Sequence, residues 1–208
     1  MIKRLPKHIG IIPDGNRRWA ESQGLEKKDG YAHGIDPGFA LYEMMLEYGI
    51  EEATFYGFTK DNTKRARNQR LAFTEACIQA VETLANRDAN LLVIGNTDSD
   101  SFPKELLPYA NQRVSFGKGL INLNFLVNYD WNWDLKNYLT DGKIASWNIP
   151  RMDLIIRWGG RCRLSGFLPV QSVYADLYVL DEYWPDFRRE HFEQALEWYQ
   201  DLDVTLGG

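Results

Sequence analysis

Short apolar runs of strand length recur along the chain, and between them lie longer stretches whose apolar positions fall at helical spacing. Residues 8–12 form an almost continuous apolar run that stops at Pro13 and gives way to the turn residues Asp14-Gly15-Asn16, which predicts a strand handing over to a helix. Gly24, Gly30 and Gly34 keep that helix short. A second helical pattern runs from about 37 to 48, with Phe39, Leu41, Tyr42, Met45 and Leu46 on one face and Gly49 as its stop. Residues 53–58 predict a second strand that ends in the polar loop 59–65. A long helix over 67–85 then turns Leu71, Phe73, Ala76, Cys77, Ala80, Val81 and Leu84 inward, and 91–94 is a third strand. Residues 103–114 pattern as a helix despite the internal Pro108. Strands follow at 121–127, 153–156 and 177–180, and the last amphipathic helix carries Phe192, Ala195, Leu196 and Tyr199. Strands alternating with helices imply one α/β domain over 1–208: a mostly parallel twisted sheet of about six strands, joined by right-handed crossovers and covered by helices on both faces.

Composition narrows the reading. With 208 residues, 44% of them hydrophobic, the chain buries a full core. No run is long and apolar enough to span a bilayer, and residues 1–7 lead into the first strand without an apolar leader, so a cytoplasmic protein is expected. Cys77 and Cys162 make neither a disulfide framework nor a zinc site, and three histidines add no ligand cluster. A net charge of -5 and a pI near 5.3 argue against general nucleic-acid binding, so any positive site is local.

Two such sites stand out. Asp14 follows a strand, where open α/β sheets bind ligands, and Arg17 and Arg18 on the next turn favour an anion such as a diphosphate. A carboxylate beside a phosphate repels it unless a divalent cation lies between them, which suggests Mg²⁺ bridging. A capped helix start with solvated arginines accounts for the same stretch without a ligand. The second site is Arg157-Trp-Gly-Gly-Arg161-Cys-Arg163-Leu-Ser165-Gly166, where three arginines, a hydroxyl and three glycines follow a strand. Glycines let a bulky anion approach the backbone and guanidinium forks match phosphate oxygens. Asp176 is either a second metal ligand or an ion-pair partner for one of these arginines. The fingerprints of Rossmann and P-loop nucleotide sites are absent. Long apolar helices beside two diphosphate sites suit substrates that carry a greasy tail, as prenyl diphosphates do.

At this point a resemblance can be stated. The residues from His8 through Asp14-Gly15-Asn16, Arg18-Trp19-Ala20, then Asn128-Tyr129 with Trp133-Asp134, then Arg157 to Leu168 and on through Gln171, Tyr174 and Trp184-Pro-Asp-Phe187, resemble in order the motifs of the cis-prenyltransferases, the family of undecaprenyl diphosphate synthase. The resemblance implies a homodimeric α/β enzyme in which Asp14 binds Mg²⁺ and the segment Gly15 to Arg18 holds an allylic diphosphate. It also implies that Arg157, Arg163 and Ser165 hold a second diphosphate, with Asp176 as a metal-associated acid. Asn62 and Arg65 match the family loop over the reacting carbons, and Lys27 stands where arginine is usual. Trp19, Tyr31, Phe58 and Thr59 complete the candidate substrate contacts.

Departures matter too. Pro13, Arg17, Tyr31, Thr63, Cys162 and Asp130-Trp131-Asn132 replace usual residues, and the end of the chain, residues 201–208, lacks the arginine-rich tail of long-chain members. Pro13-Asp14-Gly15 with Arg17-Arg18-Trp19, Asp29-Gly-Tyr-Ala32 and Pro169 resemble the cyclolavandulyl and related head-to-middle synthases. The expected reaction is therefore a Mg²⁺-dependent coupling of dimethylallyl or geranyl diphosphate to a second prenyl diphosphate, short in product and irregular in connection. Regular head-to-tail condensation with isopentenyl diphosphate is the alternative, supported by Asn128-Tyr129. Transfer to a non-prenyl acceptor and a non-catalytic lipid-diphosphate-binding subunit are further ones.

Overall fold

The apolar run 8–12 becomes strand β1 (His8–Ile12), and all five of its residues are buried. That is the pattern of a strand covered on both faces of a parallel sheet. In the computed structural model, which describes residues 4–203, β1 is joined by β2 (Glu52–Tyr56), β3 (Ala89–Ile94), β4 (Val114–Ser115), β5 (Ile121–Leu126), β6 (Leu154–Arg157) and β7 (Asp176–Val179). The sheet order is β4-β3-β5-β2-β1-β6-β7. Six strands are parallel, as expected; the seventh, β4, is a two-residue edge that pairs antiparallel with β3 and has no apolar run to announce it. Residues 204–208, most of the end segment that lacks an arginine-rich tail, lie outside the described residues.

Five helices connect these strands: α1 (Asn16–Ser22), α2 (Ile35–Tyr48), α3 (Arg67–Leu84), α4 (Trp131–Asp141) and α5 (Arg189–Gln200). Side chains of α2, α3 and α5 pack on one face of the sheet over Ile9, Ile11, Phe55, Leu123 and Phe125. On the other face, Ile12, Leu92, Leu126 and Ile155 lie under Tyr129, Met152, Phe167 and Leu168, so irregular segments and α4 replace the full helical layer expected there. This cover sits close to the backbone: a Cβ on Gly10 would lie 2.6 Å from Phe167 and 2.7 Å from Met152. The first half of this face carries a buried polar ladder. His8 Nε2 meets Thr54 Oγ1 at 2.8 Å, Asn124 donates to Glu52 at 2.7 Å and to Thr54 at 2.9 Å, and Arg113 donates to both Glu52 and Asn124.

Two expectations are corrected, and one helix had no counterpart in the sequence pattern. Residues 103–114 hold only a 3₁₀ turn (Lys104–Tyr109), because Pro108 has no N–H to carry an α-helix through. Leu71 is exposed, since it lies two residues from Phe73 and therefore about 200° around α3 from it. The helix α4 was hidden because Trp131, Leu135, Tyr138 and Leu139 on it are exposed, which blurs its amphipathic spacing. Asp130 starts it by accepting the Asn132 N–H at 3.1 Å.

From β1 the sheet grows one way through β2, β5 and β3 and the other way through β6 and β7. The winding reverses at β1, and the carboxyl ends of β1, β2 and β6 meet at that switch point, where a crevice opens.

Candidate active site

Asp14 sits two residues past β1, its N–H bonded to the Ile12 carbonyl at 2.9 Å in a tight turn. Gly15 follows with φ of +103°, and a Cβ there would lie 2.6 Å from the Tyr183 ring, so the turn admits only glycine. The Asp14 carboxylate is thereby aimed: Oδ1 accepts the Gly15 N–H at 2.7 Å and lies 3.5 Å from Arg18 Nη2, while Oδ2 accepts from Arg157 Nη2 at 2.8 Å.

Arg157 ends β6 in register with Ile12, and its side chain is 4% exposed. Its Nη1 donates to Ser165 Oγ at 3.1 Å and to the Arg163 carbonyl, while its buried Nε has no partner. Ser165 takes a left-handed conformation, φ +55°, and its carbonyl accepts the Tyr56 hydroxyl at 2.8 Å. A Cβ on Gly159 would meet Arg18 Nη2 at 2.6 Å, which is why glycine follows Trp158 here. Arg157 thus ties the two sequence motifs together.

The loop after β2 closes the third side. Thr59 and Asn62 cap each other, the Asn62 side chain accepting the Thr59 N–H at 2.9 Å. Arg65 Nη1 donates to the Tyr31 hydroxyl at 2.8 Å, and Tyr31 stacks on Phe73 with ring centroids 4.6 Å apart. Burial raises the Tyr31 phenol pKa, and the Arg65 and Arg17 cations partly offset that rise.

These groups line one cleft of about 440 Å³. Of the residues anticipated from sequence, Asp14, Gly15, Asn16, Arg17, Arg18, Tyr31, Thr59, Asn62, Arg65, Arg157, Arg163 and Ser165 all reach its wall. Four do not. Phe58 is buried against Phe73 in the core. Trp19 donates to Asp186 at 2.7 Å, and Lys27 pairs with Glu21 at 2.9 Å. Asp176 opens β7 level with Leu154, so within one chain it lies about 10 Å along the strand from the end where Arg157 meets Asp14. The fold does not bring the two acids together.

Sequence reasoning missed Tyr56, Gly57, Asp61 and Phe73, which also line the cleft, and it placed Arg161 in the second anion motif without giving it a role. Tyr56 and Gly57 end a strand beside β1, so the rule that found Asp14 would have found them. Beside the cleft lies an apolar pocket of about 100 Å³ between sheet, α2 and α3, walled by Phe39, Phe55, Phe125, Ala76, Cys77 and Leu84. Pro13, Asn16, Tyr31, Tyr56, Gly57 and Phe73 line both spaces and form the throat between them.

Mg²⁺ uses one or two carboxylates and completes its shell with phosphate oxygens and water. Asp14, a third exposed at the cleft wall, fits that donor set. No group of three His, Cys, Asp or Glu side chains among the described residues offers an all-protein cage instead.

Known proteins share this arrangement. A family model described as "Putative undecaprenyl diphosphate synthase" matches residues 12–207. The chain is 30% identical to the (2E,6E)-farnesyl-diphosphate-specific ditrans,polycis-undecaprenyl-diphosphate synthase of Aliivibrio fischeri over 98% of this chain and 89% of that one. It is also 30% identical to dehydrodolichyl diphosphate synthase 2 of Arabidopsis thaliana, over 98% of this chain and 74% of the relative. Its fold superposes on lavandulyl diphosphate synthase from Lavandula x intermedia, solved in complex with dimethylallyl diphosphate, with a TM-score of 0.81 and 22% identity over 98% of this chain and 99% of that one. Sequence, fold and the order of the motifs agree, and the chain belongs to the undecaprenyl diphosphate synthase family of cis-prenyltransferases, enzymes that transfer prenyl groups.

Proposed function

We propose that the chain couples a short allylic diphosphate, dimethylallyl or geranyl, to a second prenyl diphosphate, in the head-to-middle manner of lavandulyl-type synthases. The observation that carries this reading is the union of a polar cleft with a small apolar pocket through one throat. A cavity of about 150 Å³ takes a six-carbon ring, so a pocket of about 100 Å³ suits a five-carbon tail and not a long polyprenyl chain. A donor with its tail in the pocket and its diphosphate in the cleft would place its reacting carbon at the throat.

The reaction then needs three things from the protein. Negative charge grows on the leaving diphosphate as its bond to carbon breaks, and Arg17 and Arg18 supply positive charge there before the step begins. Asp14 would hold Mg²⁺, which when bound neutralises charge on the diphosphate oxygens. Arg157 orients Asp14 and Ser165 from beneath, while Arg163 and Ser165 face the acceptor diphosphate. The loop 59–65 lies over the throat and excludes water from the cation, through Asn62 and Arg65.

A homodimer fits the exposed apolar surface formed by Trp131, Leu135, Tyr138 and Leu139 on α4 with Trp147, Val173 and Tyr174. No helix among the described residues is long and apolar enough to cross a membrane, and a cytoplasmic location is part of the proposal. Regular head-to-tail addition of isopentenyl diphosphate is the second reading, favoured by the retained Asn128-Tyr129 and by the names of the relatives. Mass analysis of products separates the two. A branched ten-carbon diphosphate from dimethylallyl diphosphate and Mg²⁺ alone supports the first. Inertness under those conditions, with linear products once isopentenyl diphosphate is added, refutes it.

A further inference from the structure

Six arginines line the cleft, Arg17, Arg18, Arg65, Arg157, Arg161 and Arg163, against two acids, Asp14 and Asp61. Four of the six are already engaged with the protein: Arg17 with Gln69, Arg65 with Tyr31, and Arg18 and Arg157 with Asp14. Among the described residues, the guanidinium groups of Arg161 and Arg163 have no protein acceptor. Both are exposed. The Arg163 N–H bonds the Arg161 carbonyl at 3.0 Å and closes a three-residue turn around Cys162. The turn brings both arginines to the same cleft. It is pinned from behind, because Gly159 and Gly160 donate their N–H groups to the carbonyls of Glu182 and Leu180 at 2.8 Å each.

We propose that Arg161 is a specificity-determining residue of the acceptor half, forming with Arg163 a two-guanidinium clamp that holds the second diphosphate within a single chain. Two unpaired guanidinium groups on one cleft wall favour an anion that spans them, and a diphosphate offers oxygens to both forks at once. The cleft's net of four positive charges also matches two diphosphates accompanied by one divalent cation, and exceeds what one diphosphate neutralises. The proposal rests on the reading of the cleft as a site for two diphosphates, and adds which residue admits the second.

The test needs no turnover. Inorganic pyrophosphate with Mg²⁺ is titrated into wild type, Arg161→Gln and Arg161→Lys by calorimetry, with thermal melts checking that each exposed-site variant is folded. Cys162 gives an independent signal. It is exposed between the two arginines, whereas burial pushes the Cys77 thiol up to about 12, so iodoacetamide reports on Cys162. Wild type is expected to take two equivalents and to be protected from alkylation. Arg161→Gln should weaken one equivalent at least tenfold, leave the other unchanged and lose the protection, with Arg161→Lys between the two. A wild type that takes a single equivalent overturns the two-diphosphate reading itself. Two equivalents in wild type, with affinities and protection unchanged in Arg161→Gln, overturn the role of Arg161 alone.

Discussion

Replacing Asp14 by alanine separates the catalytic from the structural part of the site. Besides the local bond from the Gly15 N–H at 2.7 Å, which water replaces in the alanine variant, the carboxylate makes one short charge-assisted bond, from Arg157 Nη2 at 2.8 Å, and one longer ion pair, to Arg18 at 3.5 Å. A charge-assisted bond contributes about 1.5–3 kcal/mol when buried. Asp14 is 35% exposed, so the lower end applies after solvent screening, and a loss of about 1–2 kcal/mol follows. For a chain of this size each kcal/mol moves Tm by about 2–4 °C, which predicts a drop of roughly 2–8 °C with the fold retained. Turnover should fall far more, by about 10³ or beyond, because in the proposed reaction the carboxylate acts where charge builds on the leaving group. Arg157→Met alone should also destabilise, and the double variant should be more stable than the sum of the two losses, since each single change strands the other partner. Melts and single-turnover product formation measure both sides. An Asp14→Ala protein with more than a tenth of wild-type turnover, or a double variant whose losses simply add, would refute the reasoning.

Phe39→Ala opens the apolar pocket and should lower KM for geranyl diphosphate at least tenfold while changing turnover of dimethylallyl diphosphate little; unchanged KM would mean Phe39 does not bound the tail. Gly10→Ala places a methyl 2.6 Å from Phe167 and should cost about 1–3 kcal/mol in urea unfolding, against no change if the cover over β1 yields freely. Burial lowers the His8 pKa below its unfolded value of about 6.5, with the nearby Glu52 charge working the other way. The unfolded chain therefore takes up the proton first, so stability is complete above about pH 6.5 and falls as the pH drops below it, by up to about 1.4 kcal/mol per pH unit for this group. His8→Gln should flatten that slope, and His191, also lowered mainly by burial, keeps part of it; an unaltered slope would remove His8 as its source.

The parallel strands and the cleft were legible because their signals are local. Asp14 and Arg157 each follow an apolar run directly, and the switch-point rule places such positions at a ligand crevice without knowledge of any contact. What escaped depends on pairing between distant segments. Asn122 and Asn124 alternate with apolar residues on β5, which in isolation signals a solvated face; the structure buries Asn124 against Glu52 and Thr54 of the neighbouring strand. Asp176 follows the arginine loop closely in sequence, yet the chain travels back along the sheet before β7 begins, so within one chain nearness in sequence does not become nearness to Asp14. Arg161 was grouped with its neighbours but not assigned, because only the turn at Cys162 shows which way it faces.

The pair Asp14 and Arg157 joins residues 143 positions apart, and this has a consequence for how the enzyme folds. β1 is made well before β6 and cannot meet it until the residues between them have been synthesised and ordered. Closing so long a loop is slow, which makes the cleft one of the last features to mature. Until then the arginine loop is a patch of unmatched positive charge. A diphosphate that binds only the finished sheet stabilises the native state in proportion to the logarithm of its concentration over Kd. A diphosphate held in the cleft is thus expected to protect β1 and β6 from hydrogen exchange together, whereas a chain truncated before residue 157 lacks half of the Asp14–Arg157 pair.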